Sequence, residues 1–237
     1  MHEWCFILKA EYEKNGYYFV RDALGTESVE SLISEMSIFD QEMNNYGVRN
    51  LLNKVSSIRS LATSSPLIDI AREILGRNAK PVRSVCFDKV PSANWNVAWH
   101  QDTSIALKEK FKVKGFGPWS EKQGVVHTEP PEEYLKNTLT LRLHLDKANS
   151  ETGVLRILPA SHIKGRIPSR DLIKEIERSE SSIVECIAEP GDVLLMCPLL
   201  FHSSRKAKVP SHRRIIHIEY SAMKLPSPLE WYEVEEE

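Results

Sequence analysis

A chain of 237 residues, 41% hydrophobic and 27% charged, is long enough to bury a core as one domain and too apolar to be intrinsically disordered. Its 31 basic and 33 acidic residues nearly cancel, to a formal charge of −2, which excludes the basic footprint of a nucleic-acid or anionic-membrane binder. No uncharged apolar run is long enough to span a bilayer, and the four dispersed cysteines, Cys5, Cys86, Cys186 and Cys197, suit neither a disulfide framework nor a Cys-X-X-Cys site.

The apolar run from Trp4 to Leu8 is too short for a signal-peptide core, so a reducing, cytosolic setting is expected. Residues 9–14 read as helix and stop at Asn15-Gly16; the aromatic and β-branched stretch 17–20 then reads as strand. Thr26 is placed to cap a helix whose Val29, Leu32, Ile33 and Met36 recur at helical spacing. The polar segment 41–60 permits only a weak amphipathic turn or two. Pro66 begins a further helix, with Leu67, Ile70, Ala71, Ile74 and Leu75 on one face and Gly76 as its stop.

From Lys80 the period changes to two. Residues 82–89 alternate until Pro91-Ser92-Ala93-Asn94 breaks the run, and the chain then enters Val97 to Asp102. Residues 108–137, rich in glycine, proline and aromatics, read as a long loop covering an active site. Residues 138–146 alternate most clearly, with leucines on one face and Thr140, Arg142 and His144 on the other. After a turn at 149–153 come a strand at 154–158, a turn at 159–162, a surface helix at 169–179, a strand at 182–188, a turn at 189–192 and strands at 193–196 and 213–221. Residues 233–237 read as a frayed acidic tail. Two or three helices followed by six to eight short strands predict a mainly β, α+β fold: a double-stranded β-helix, the cupin-like jelly roll, buttressed by N-terminal helices, as one domain over 1–237.

His100-Gln101-Asp102 is the stretch with chemistry. Residues two apart on a strand point the same way, so His100 and Asp102 can reach one metal while Gln101 turns aside. With a remote histidine such as His202 they complete the 2-His-1-carboxylate set that holds Fe(II) and leaves three positions open. His127, His144, His162 and His217 are rivals for that third place. Of the neighbours Arg213 and Arg214 one must face inward, and a buried guanidinium needs an anion to meet.

Together with the turn Asn149-Ser150-Glu151-Thr152-Gly153-Val154-Leu155, the segment Leu158-Pro159-Ala160-Ser161-His162, Pro190-Gly191-Asp192, and His202 followed by Arg213, the His100-Gln101-Asp102 motif resembles the phytanoyl-CoA dioxygenase family of Fe(II)/2-oxoglutarate oxygenases, from about Gly16 to Ser221. The resemblance implies His100, Asp102 and His202 as iron ligands, and 2-oxoglutarate and O2 as cosubstrates. It further implies that Arg213, helped by Ser204, holds the far carboxylate of 2-oxoglutarate, and that Arg142 serves either that cosubstrate or the substrate. The related halogenases replace the carboxylate ligand with a small residue; Asp102 argues against that chemistry here. Trp119 and His127, in the covering segment, are expected at the substrate. The expected activity is hydroxylation of a small organic metabolite, with release of succinate and CO2, by a monomer or homodimer. The alternatives are a cupin-like metalloenzyme that does not use 2-oxoglutarate and a catalytically silent small-molecule-binding protein on the same scaffold.

Overall fold

The computed structural model describes residues 2–39, 47–209 and 211–234. The chain opens with α1 (His2–Asn15), β1 (Tyr17–Val20) and α2 (Thr26–Met36), continues through β2 (Val48–Arg49), α3 (Leu51–Lys54), α4 (Ser56–Thr63) and α5 (Leu67–Leu75), and then becomes mostly β. There follow β3 (Lys80–Phe87), β4 (Val97–His100), β5 (Ile105–Leu107), β6 (Trp119–Lys122), β7 (Val125–Thr128), α6 (Glu132–Lys136), β8 (Thr138–His144), β9 (Leu155–Ile157), α7 (Ser169–Arg178), β10 (Val184–Glu185), β11 (Val193–Met196), β12 (His202–Ser204) and β13 (Ile215–Ser221).

Among the described residues the strands form a six-stranded antiparallel sheet in the order β1-β11-β8-β13-β3-β2, a four-stranded sheet β10-β9-β12-β4, and a small sheet β5-β7-β6. These are the sheets of the expected jelly roll. Alternation along β8 sorts the two faces of the large sheet. Leu139, Leu141 and Leu143 are buried in the main hydrophobic core together with residues of α2, α4 and α5, whereas Arg142 turns to the interior cavity. The N-terminal helices therefore do what their apolar stripes predict: they cover the outside of the large sheet, and the roll's inside is left to polar groups. No helix among the described residues is long and apolar enough to cross a membrane.

Several boundaries move. The first helix starts at His2, not residue 9. Gly25, not Thr26, is the residue before α2, and no side chain caps that helix. The weak pattern within 47–60 resolves into β2, α3 and most of α4, because Leu51, Leu52, Val55 and Ile58 all find burial against the sheet; residues 40–46 lie outside the described residues. The expected 182–188 strand shrinks to Val184–Glu185. Residues 108–137 are no bare loop: β6 and β7 pair as a hairpin and β5 joins them, followed by α6. Where one of the neighbouring arginines is expected to face inward, both are sequestered: Arg213 is buried, and Arg214 forms a bidentate pair with Asp146 at 2.8 Å on each arm. Nor is Glu233 frayed. Its carboxylate is buried and accepts from the Ser84 and Leu52 backbone N–H groups at 2.7 and 3.2 Å and from the Ser84 hydroxyl. Residues 235–237 lie outside the described residues.

Gly16 illustrates why one turn needs glycine. It adopts φ +77°, and a Cβ there would stand 2.4 Å from His162 Nδ1 and 2.8 Å from Leu200 Cδ1, so only a residue without a side chain lets the first helix end against the His162 turn.

Candidate active site

Register puts the two imidazoles together. On adjoining antiparallel strands β12 and β4, His202 lies directly opposite His100, so both side chains leave the same face, and their ring centroids are 4.1 Å apart. Asp102, two residues beyond His100, shares that face, and its backbone N–H donates to Pro198 O at 2.8 Å, which holds the departing chain against the β12 side. One carboxylate oxygen lies 3.8 Å from His100 Nε2 and the other 3.5 Å from His202 Nε2. The ligand atoms of all three residues fall within 4.8 Å of one another.

Each histidine is oriented by its own backbone. His100 Nδ1 meets Ala98 O, and His202 Nδ1 meets Leu200 O, at 2.8 Å each. A carbonyl only accepts, so Nδ1 carries the proton and Nε2 presents its lone pair to the shared space. Burial pushes His202 down to about 4, against the pull of Asp102, which keeps it neutral as a ligand must be. Burial alone would raise the Asp102 carboxyl, but His202, His100, His217 and Arg83 outweigh it and hold the group well below the ordinary carboxylate range. Two neutral imidazoles and one ionised carboxylate on one side of a cavity are the donor set that a divalent iron takes.

Gln101 turns aside as expected. Its amide donates to Gly165 O and Leu199 O at 2.8 and 2.7 Å and accepts from Ile167 N–H at 3.1 Å. The Ser161 hydroxyl accepts from Phe201 N–H at 2.8 Å, so the Pro-Ala-Ser-His turn fixes the strand entry that aims His202.

Behind the triad is a cavity of about 160 Å³ bounded by His100, Asp102, His202, Arg142, Ser204 and Arg213, among others. Arg213 is buried; its Nη1 donates to Gly153 O at 2.6 Å while its Nε finds no partner. Its guanidinium is pushed down to about 9, by burial first and Arg142 second, against the opposing effect of Asp88. Asp88 positions this residue from behind by accepting its backbone N–H at 2.8 Å. Gly153 comes close because it can: at φ +70° a Cβ would lie 2.5 Å from Arg205 O and 2.9 Å from Ala207 N.

One member went unnoticed in the sequence. Lys89 is 0% exposed, and its Nζ donates to Ser204 Oγ at 3.1 Å and to Arg205 O. Burial, then Arg213 and Arg142, pushes it down to about 7. The alternation of residues 82–89 puts Lys89 at the end of a strand, but nothing local to it signals that its ammonium is buried.

The rival histidines are placed elsewhere. Arg142 Nη1 donates to His217 Nδ1 at 3.0 Å, so His217 turns its Nε2–H to Glu219 Oε1 at 3.2 Å, and Glu219 also accepts from Arg83 at 2.6 Å. With both nitrogens engaged, His217 lines the cavity without a free lone pair. His144 and His162 meet Asp192 O and Glu13 O respectively. His127 and Trp119 lie on the β6–β7 hairpin and are not among the residues that bound the cavity.

The family model described as phytanoyl-CoA dioxygenase (PhyH) matches residues 12–215. No curated protein sequence matches the chain. Among solved structures, HygX from Streptomyces hygroscopicus with nickel and 2-oxoglutarate bound is 16% identical with a TM-score of 0.65, over 93% of this chain and 86% of that one. SnoN, the non-heme alpha ketoglutarate dependent epimerase from nogalamycin biosynthesis, is 17% identical with a TM-score of 0.67, over 92% and 82%. EctD from S. alaskensis with bound Fe is 18% identical with a TM-score of 0.69, over 90% and 75%. With the family model spanning most of the chain and a His-Asp-His cluster inside the same fold, the protein belongs to the phytanoyl-CoA dioxygenase family of Fe(II)- and 2-oxoglutarate-dependent oxygenases.

Proposed function

We propose that the protein hydroxylates a small organic metabolite in an Fe(II)- and 2-oxoglutarate-dependent reaction, as a single cytosolic domain whose β6–β7 hairpin covers the substrate. The observation that carries this reading is a pairing. A three-donor metal site opens onto a cavity lined by two buried arginines, Arg213 and Arg142, with the buried Lys89 hydrogen-bonded to its Ser204, and none of the three makes an ion pair among the described residues. Such charge is costly to bury unless an anion arrives to meet it.

His100, Asp102 and His202 would hold the iron. Arg213 is placed to grip a carboxylate at the far end of 2-oxoglutarate by charge-assisted hydrogen bonds, with Lys89 and the Ser204 hydroxyl beside it. Bound there, iron and 2-oxoglutarate supply the activation of O2 that oxidises a C–H bond, with succinate and CO2 released. The chain's own work is to orient these partners and to keep water out, which Phe87, Trp95 and Leu155 do along the cavity wall. Trp119 and His127 act from the hairpin, on the substrate side.

The test is succinate release by iron-loaded protein with ascorbate, with and without a panel of metabolites. Wild type converts 2-oxoglutarate to succinate even uncoupled from a substrate. His202→Ala loses this activity, and Arg213→Ala raises the apparent KM for 2-oxoglutarate by about 10- to 100-fold, the worth of a charge-assisted contact. Iron-loaded protein that releases no succinate, or an Arg213→Ala variant with unchanged KM, would contradict the reading.

A further inference from the structure

A second group of cations lies beside the same metal centre, and the chemistry above makes no use of it. Arg49 is the cross-strand partner of Val85, and Arg83, two residues from Val85 on β3, leaves the same face and lines the cavity with His100 and Asp102. The β6–β7 hairpin packs over this edge: Val125 and Arg49 share a cleft of about 330 Å³ with Gln123. Lys122 is the cross-strand partner of Val125, and His127 follows two residues later, so the three share one face of the hairpin.

Acid is scarce around them. Glu219 is committed to Arg83 and His217. Glu233 is committed to Ser84 and Leu52, and burial pushes it up to about 7. Asp102 belongs to the metal. Arg49 makes no ion pair among the described residues, and its Nε and Nη1 are buried without a hydrogen-bond partner. Lys122 also lacks an ion pair there, and both it and Arg49 lie within electrostatic reach of Arg83 and Asp102. His127, 1% exposed, gives its Nδ1–H to Val125 O at 2.9 Å and leaves Nε2 buried without a partner. Unsatisfied buried nitrogens on two elements, β2 and β7, that converge beside a metal site are groups waiting for a ligand.

We propose that Arg49, Arg83 and Lys122 form the anion subsite of the substrate, which is a small molecule bearing a carboxylate or a phosphate. This rests on the oxygenase reading above. Docked on the two guanidinium groups, with Lys122 added from the hairpin and His127 Nε2 accepting from a ligand donor, the anion anchors the molecule while its neutral part reaches toward the triad.

The test uses protein loaded with Ni(II) and 2-oxoglutarate, so that the Arg213 end is already filled, titrated calorimetrically with inorganic phosphate and separately with acetate. At least one anion is expected to bind, more weakly as salt rises, and whichever binds tighter identifies the group. Arg49→Gln/Lys122→Gln is expected to weaken that binding about tenfold or more, and Lys122→Gln alone, an exposed change, by less, while the affinity for 2-oxoglutarate holds. No binding of either anion by the loaded wild type, or undiminished binding by the double variant, overturns the subsite. If 2-oxoglutarate fails to bind the nickel protein, the oxygenase reading falls instead, and phosphate binding that the double variant loses would still support the subsite.

Discussion

Lys89 carries a consequence that can be measured at the level of a single side chain. Its ammonium is pushed down to about 7 by burial and by Arg213 and Arg142. A dianion placed beside it favours the charged form, so the loaded site keeps the proton to higher pH than the empty one. Affinity for 2-oxoglutarate is then full below about pH 7 and falls as pH rises above it, by up to about tenfold per unit. Binding measured between pH 6 and 9 is expected to show this slope in wild type and a flatter profile in Lys89→Met; equal slopes would show that Lys89 does not touch the cosubstrate. His100 and Asp102 were legible in the sequence because a ligand pair two residues apart is a local fact; Arg213 was legible only through the family resemblance, since alternation alone left it and Arg214 open. Lys89 was not, since its burial depends on Gly153, Ser204 and Arg205, which lie far along the chain.

The segment 223–234 after the last strand is an element that a reading of its acidic end misplaced. Trp231 bridges Leu107, Tyr232 N–H donates to Ala106 O at 3.2 Å, and Glu233 ties α3 to β3. Burial pushes the Glu233 carboxyl up to about 7, although its hydrogen bonds with Ser84 and Leu52 and the charge of Arg83 pull the other way. A carboxyl raised on folding contributes stability that is complete below its unfolded value near 4.3 and is lost as pH rises through about 7. Glu233→Gln removes that titration. Its stability relative to wild type is expected to improve by a few kcal/mol between pH 5 and 8, read as the difference between two urea-melt series; a difference that stays constant with pH would count against it. Strands β8 and β13 of the large sheet were recoverable from alternation because one face is apolar and the other polar, whereas β2, two residues long, left no such pattern. The β6–β7 hairpin was not, since its residues carry no clean period and β7 earns its burial only by pairing on both sides.

Across the whole molecule, function follows from how the jelly roll divides its two faces. Helices take the apolar outside of the large sheet, so the inside is left for Arg142, His217, Glu219 and Arg83, which satisfy one another in a row, and the four-stranded sheet delivers His100 and His202 opposite that row. The order of helices and strands was enough to expect this fold. It could not say that His217 would be consumed by Arg142 and Glu219 and so be lost as a ligand, because those partners come from other strands. The account stands on one metal and one 2-oxoglutarate sharing a site, and anaerobic calorimetry of Fe(II) and 2-oxoglutarate binding, separately and together, tests it most directly. The expected result is one iron per chain, 2-oxoglutarate bound more tightly with iron present, and both effects abolished in His100→Ala/His202→Ala. Iron binding that survives in that variant, or 2-oxoglutarate binding indifferent to iron, would contradict it.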